Sequence, residues 1–326
     1  TYDASVRWSR QVPLPTSTAP TQHGLTIEAT QNKLSAAPQE IHWVSNQQRI
    51  DHQAGLFHAA DGIQLLEQTW QPRRVSGVVA LVHGVAEHTG RYDQLAHDLC
   101  AAGYALTAFD LRGHGRSEGQ RALVRSFDAH LSDLALFMER ARSRAAGQPL
   151  FLMGHSMGGQ IAALYAIERQ PELNGLVLSA PAVCAGLDAP PFLLVLLRAL
   201  RALAPGLPLL KLRSRGLSQN MGIVATYDSD PLVYRGGLPT ATLLAFRDAS
   251  QRIQAQLGRL TLPLLVLQGL ADPIVPPEGS RALMQAVGSS DKTLHLYEGM
   301  LHEVLNEPRR DQVVADLLAW LSAHCP

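Results

Sequence analysis

Gly154-His155-Ser156-Met157-Gly158 sets a hydroxyl between two glycines, a G-x-S-x-G spacing that lets a chain turn sharply and hold out a nucleophile. Ahead of it, the short apolar run from Pro149 to Met153 predicts a buried strand. Behind it, Gly159 to Ile167 carries apolar residues at helical spacing. Strand, tight turn and helix in that order predict a nucleophile elbow with Ser156 Oγ at the head of a sheet. The helix start offers unpaired N–H groups and a positive dipole end to a developing oxyanion.

A serine hydroxyl needs a base within hydrogen-bond reach, and the base needs a third group to orient it. On such a sheet the expected chain order is serine, acid, histidine. Leu265 to Asp272 puts Asp272 in a turn just past a strand, and Leu294 to His302 puts His302 in the loop after the next. Asp272 also suits a plain turn, since Pro273, Pro276 and Pro277 follow it, and His302 also suits a helix cap. His295 falls mid-strand, and His58 and His324 lie far from any strand end.

The second oxyanion donor is expected from the loop His83-Gly84-Val85-Ala86-Glu87-His88, so Val85 and Met157 are the predicted N–H pair. The polar side chains of this loop read as braces. They lack the H-E-x-x-H arrangement of a zinc site, so neither metal nor cofactor is expected. His83, His155, Phe192, Leu193 and Leu196 are the candidate substrate contacts.

The elements that must position these groups alternate. Strands are predicted at Gly62 to Trp70, Val78 to Val82, Tyr104 to Phe109, Pro149 to Met153, Gly175 to Ser179, Leu262 to Leu267 and Thr293 to Tyr297. Helices are predicted at Tyr92 to Ala102, Phe127 to Ala145, Glu278 to Ala286 and Arg310 to Ala323. That alternation implies an α/β fold, a mostly parallel sheet covered on both faces, with ligands beyond the carboxyl ends of the strands. Residues 183–259 break it with no strand signal and a greasy helix from Pro190 to Leu203, predicting a helical cap. The core is then 56–182 with 260–326, and residues 1–55, rich in Gln, Ser, Thr and Pro, read as an extended arm.

Lys plus Arg and Asp plus Glu each total 28 in 326 residues, and no basic stripe appears, so nucleic acid is not an expected partner. Three scattered cysteines make neither a disulfide framework nor a zinc site. No apolar run approaches the ~18 residues that span a bilayer. The chain begins at Thr1, which leaves two expectations: a cytoplasmic or peripheral-membrane protein, or an exported one whose signal has been removed. Oligomeric state is not legible.

His83-Gly84-x-x-Glu87-His88, Phe109-Asp110-x-Arg112-Gly113-His114-Gly115-x-Ser117-x-Gly119, Gly154-His155-Ser156-Met157-Gly158-Gly159 and His302-Glu303 resemble the monoacylglycerol lipase and lysophospholipase branch of the α/β-hydrolases, of the serine aminopeptidase S33 type. The resemblance runs from about Ala60 to His324, and Asp228 to Val233 looks like its cap segment. It implies an eight-stranded-type sheet with a cap, a Ser156–Asp272–His302 triad, and Val85 and Met157 as oxyanion donors. The implied activity is hydrolysis of lipid carboxylic esters, first of all monoacylglycerol, with peripheral membrane contact through the cap. Short soluble esters and lysophospholipids are the enzymatic alternatives, and an inactive binding module is the non-enzymatic one. The chain departs from the pattern in its longer arm and in Val85, where relatives often carry a smaller residue.

Overall fold

Val78, Ala80 and Val82 point to one side of their strand and Val79 and Leu81 to the other, so one six-residue run feeds two apolar layers. The computed structural model describes residues 50–184 and 191–325. Its first half runs β1 (Asp51–His58), β2 (Gln64–Gln71), β3 (Gly77–Val82), α1 (Asp93–Ala101), β4 (Tyr104–Phe109), α2 (Phe127–Ala145), β5 (Leu150–His155), α3 (Met157–Arg169) and β6 (Gly175–Ser179). The insertion follows as α4 (Pro191–Leu203), β7 (Pro208–Leu210), α5 (Met221–Ser229), β8 (Leu238–Pro239) and α6 (Thr240–Gln254). The chain closes with β9 (Leu264–Gly269), α7 (Pro277–Ala286), β10 (Lys292–Tyr297) and α8 (Arg310–Ala323).

Eight strands among the described residues form one sheet in the order β1-β2-β4-β3-β5-β6-β9-β10. From β4 to β10 neighbouring strands are parallel, while β1 and β2 are antiparallel to their neighbours. Side chains of α2, α3, α6 and α7 share one core with one face, and those of α1 and α8 share the other core with the opposite face. The predicted architecture is the observed one. The parallel strands carry near-continuous aliphatic runs because both of their faces are covered.

Three expectations need correction. The arm predicted as residues 1–55 lies outside the described residues as far as residue 49, but Asp51 to Gly55 belong to β1, paired in register with β2. That strand shows no apolar signal because it is an edge, with only Phe57 buried. The insertion is not strandless either, since β7 and β8 pair antiparallel. Its last helix also serves the main body: Ala245, Ala249 and Ile253 of α6 pack into the core beside α3. Sheet and insertion accordingly fall within one compact unit, Gln47–Pro326. No described helix is long and apolar enough to cross a membrane.

Candidate active site

Ser156 lies between the end of β5 and the start of α3 with φ 52° and ψ −115°, a conformation L-residues rarely adopt. The surrounding main chain holds it there. Ser156 N–H donates to the Ser179 carbonyl at 2.9 Å, and its own carbonyl accepts from Ala182 N at 3.1 Å. The flanking glycines are required by close approach: a Cβ on Gly158 would run into the Val82 and His83 carbonyls, and one on Gly154 into Gly158. Met157 is the first residue of α3, so its N–H is among those a helix leaves without an internal partner.

Asp272 and His302 are brought together as expected. His302 Nδ1 donates to Asp272 Oδ2 at 2.7 Å, with both residues buried. Asp272 Oδ1 accepts from Ile274 N at 2.8 Å and Val275 N at 3.0 Å. Burial alone would raise this carboxyl, but the His302 hydrogen bond and charge and the two N–H groups hold it below the ordinary carboxylate value. The competing reading of Asp272 as a turn residue is part of the same fact, since the two N–H bonds close the turn that aims its second oxygen. Among the described residues no hydrogen bond joins Ser156 Oγ to His302. Both side chains open on one cavity, and such bonds are often long until substrate tightens them.

That cavity has a volume of 370 Å³. Ser156, His302, Val85 and Met157 all line it, so both predicted oxyanion donors border it. Leu210, Leu217, Leu243, Phe246 and Ile274 make its lining largely apolar, and Glu87, Arg91 and Glu303, paired with one another, add a polar cluster. Of the predicted substrate contacts, His155 lines the cavity, its ring 4.8 Å from that of His302. Burial and then the His302 imidazole pull His155 down to about 4, which keeps it neutral at physiological pH.

His83, Phe192 and Leu196 are not among the residues that line the cavity. His83 is fully buried, donating from Nδ1 to the Gly84 carbonyl at 2.7 Å and accepting from Leu111 N at Nε2 at 2.9 Å. Those two partners define its neutral tautomer and make it a brace for the oxyanion loop. Phe192 and Leu196 face outward, 75% and 60% exposed. On α4 it is Leu197 that is buried. The Leu193 side chain lies outside the described residues.

Two further residues, Gln268 and Arg91, support the site without having been predicted from the sequence. Gln268, near the end of β9, donates from Nε2 to Asp272 Oδ2 at 3.1 Å and accepts from Ser280 at 2.8 Å. A buried amide closing an otherwise aliphatic strand is the signal that could have found it. Arg91 lies between two carboxylates. It donates to Glu87 Oε2 at 2.6 Å and forks onto both oxygens of Glu303 at 2.7 Å. Its guanidinium also lies 4.8 Å over the Tyr227 ring. The other oxygen of Glu87 accepts from Gly84 N at 2.6 Å and Tyr92 Oη at 2.8 Å. Burial works to raise Glu87, yet Arg91 and the neighbouring histidines outweigh it and hold the carboxyl at about 2. Arg91 therefore ties the loop after β3 to the loop carrying His302.

Nucleophile elbow, acid-oriented histidine and bordering N–H groups on a capped parallel sheet define a serine hydrolase of the α/β-hydrolase fold. A family model, serine aminopeptidase, S33, matches residues 73–309, and the chain belongs to that family. It is 37% identical over 269 residues to a monoacylglycerol lipase of Mycolicibacterium smegmatis, covering 82% of this chain and 96% of that one. It is 38% identical to a monoglyceride lipase of Mus musculus, covering 81% and 88%. Among solved structures, monoacylglycerol lipase from Paleococcus ferrophilus superposes with a TM-score of 0.70 at 32% identity, covering 84% of this chain and 99% of that one.

Proposed function

We propose that this chain hydrolyses carboxylic esters of lipids, monoacylglycerol foremost, through an acyl-enzyme on Ser156. The observation that carries the reading is the mixed lining of the cavity around Ser156 and His302. Its apolar side chains suit an acyl chain, the Glu87–Arg91–Glu303 cluster suits a hydroxylic alcohol, and Ser156 and His302 line the same space. His302 takes the Ser156 proton as Oγ attacks the ester carbonyl, while Asp272 holds the imidazole tautomer and stabilises its charge. The Val85 and Met157 N–H groups stabilise the tetrahedral oxyanion, each donor worth on the order of 10²–10³ in rate. His302 then protonates the departing glycerol, and water releases the fatty acid by the same steps.

Aminopeptidase chemistry fits the cavity less well. A free α-ammonium needs an uncommitted carboxylate, and here Arg91 occupies both acids. Phe192, Val195, Leu196 and Leu203 form an outward apolar stripe at helical spacing on α4, and in this reading the stripe rests on the lipid surface from which substrate is drawn.

The test is a hydrolysis profile across monoacylglycerols and p-nitrophenyl esters of increasing chain length, with Ser156→Ala as control. Long-chain monoacylglycerol should be turned over and the variant should be folded but inactive. A preference for acetate or butyrate with no monoacylglycerol turnover would overturn the substrate, and full activity in the variant would overturn the nucleophile.

A further inference from the structure

Val85 N–H donates to no group among the described residues, so it is free for an oxyanion. A free donor has to be held by its neighbours on the chain. On one side is Gly84, whose N–H donates to Glu87 Oε1 at 2.6 Å. A Cβ on Gly84 would come within 3.3 Å of the Ser156 Cβ, so the loop lies close against the nucleophile. On the other side is Ala86, buried with φ 70°, a left-handed conformation that is unfavourable for any residue with a Cβ. Such a conformation persists only where surrounding contacts over-determine it.

For Ala86 those contacts come from the insertion. Its carbonyl accepts from Tyr234 N at 2.8 Å. Two residues further on, His88 Nδ1 accepts from Gly90 N at 3.2 Å, which puts the proton on Nε2, and Nε2 donates to Asp230 Oδ2 at 2.8 Å. Asp230 serves both anchors. Its Oδ1 accepts from Leu232 N at 2.8 Å and its carbonyl from Val233 N at 3.3 Å, closing the turn that presents Tyr234 N to Ala86. Arg235 holds the same turn, donating to the Asp228 and Asp230 carbonyls at 2.8 Å. The nearby Asp228 carboxylate accepts from Ser214 Oγ at 3.0 Å and makes no bond to the oxyanion loop among the described residues.

We propose that Asp230 is a positioning residue for the oxyanion hole, keeping Val85 N–H in place through His88 and through the Tyr234–Ala86 bond. The proposal rests on the reading of Ser156 as nucleophile and Val85 as donor. Asp230 touches no reacting atom. Its effect falls on the tetrahedral state, where charge on the carbonyl oxygen is greatest, so it belongs to kcat rather than KM. A misaimed donor weakens this state less than an absent one, so the loss stays below the ~10²–10³ of deleting an oxyanion donor.

The test compares Asp230→Asn, Asp230→Ala and Asp228→Asn with the wild type on hexanoylglycerol kept monomeric. It also measures inhibition by an alkyl trifluoromethyl ketone, which adds to the serine and leaves a negative oxygen in the oxyanion hole. Asn keeps an oxygen for the Leu232 turn and loses the acceptor for His88, whereas Ala loses both. With KM within about twofold, kcat should fall about 10-fold in Asp230→Asn and further, up to about 100-fold, in Asp230→Ala. The inhibition constant of the ketone should rise in proportion to each loss. Asp228→Asn should stay within about twofold of the wild type on every measure. A raised KM with kcat unchanged, or a lost kcat with the ketone still bound as tightly, would overturn the proposal. So would wild-type kinetics in Asp230→Ala, or equal losses in Asp228→Asn. If Asp230→Ala melts below the assay temperature, Asp230→Asn, which retains the turn, decides by the same criteria. An unaltered kcat in Val85→Pro, which lacks the N–H, would remove the Val85 reading instead. A wild type that neither turns over the ester nor binds the ketone would remove the Ser156 reading itself.

Discussion

Both oxygens of Asp272 are committed, one to the main chain of its own turn and the other to His302 and Gln268. An amide at this position keeps an oxygen for the turn but presents the wrong partner to the imidazole. Asp272→Asn is therefore expected to lower kcat on the order of 10⁴-fold while KM and the thermal midpoint stay close to wild type. Steady-state kinetics beside a melting curve would check it, and a matching collapse of the midpoint would make Asp272 structural instead. The three triad candidates were legible because each follows a predicted strand and stands among glycines or prolines that mark a turn. Arg91 was not legible: its partner Glu303 is 212 positions away, and nothing in the local spacing of either residue announces the other.

Among the elements, the loop after β3 and the loop after β10 are joined by a buried ion group. Arg91, Glu87 and Glu303 side chains are 9%, 5% and 5% exposed. Removing the cation leaves two carboxylates buried without it, a change that typically costs ~3–5 kcal/mol. Arg91→Met should lower the denaturant midpoint accordingly, and a shift within error of zero would show that the carboxylates find other partners. Legibility at this scale followed burial. α2 runs from Phe127 to Ala145 as predicted, because its inward stripe is apolar and Ser126 caps it, accepting from Asp128 N. β1 escaped notice because ladder hydrogen bonds rather than burial hold it. α4 is harder to read because a helix with apolar residues on most of its circumference does not declare which side is buried.

For the whole molecule, the buried histidines set the response to acid. Burial pulls His114 and His130 down to about 3, whereas an unfolded chain titrates them near 6.5. Between those values the unfolded state binds more protons, so stability is greatest above pH 6.5 and falls as the pH drops toward 3. At pH 5 the loss is about 2 kcal/mol for each histidine. Glu87 adds a loss of the same sign at lower pH, since its folded value of about 2 lies below the ordinary 4.5. Urea midpoints should therefore fall clearly from pH 7.5 to pH 5, and a flat profile would contradict the burial of these imidazoles as neutral groups.

The main chain around His302 carries a further consequence. His302 N–H donates to the Gly216 carbonyl at 3.4 Å and Glu303 N–H to the Leu217 carbonyl at 2.7 Å, both acceptors lying in the insertion. The covering segment thus grips the base it covers. Exchanging it for that of a relative, to redirect selectivity, is not a modular graft: a donor segment must reproduce those two carbonyls, or the enzyme changes its pace together with its taste.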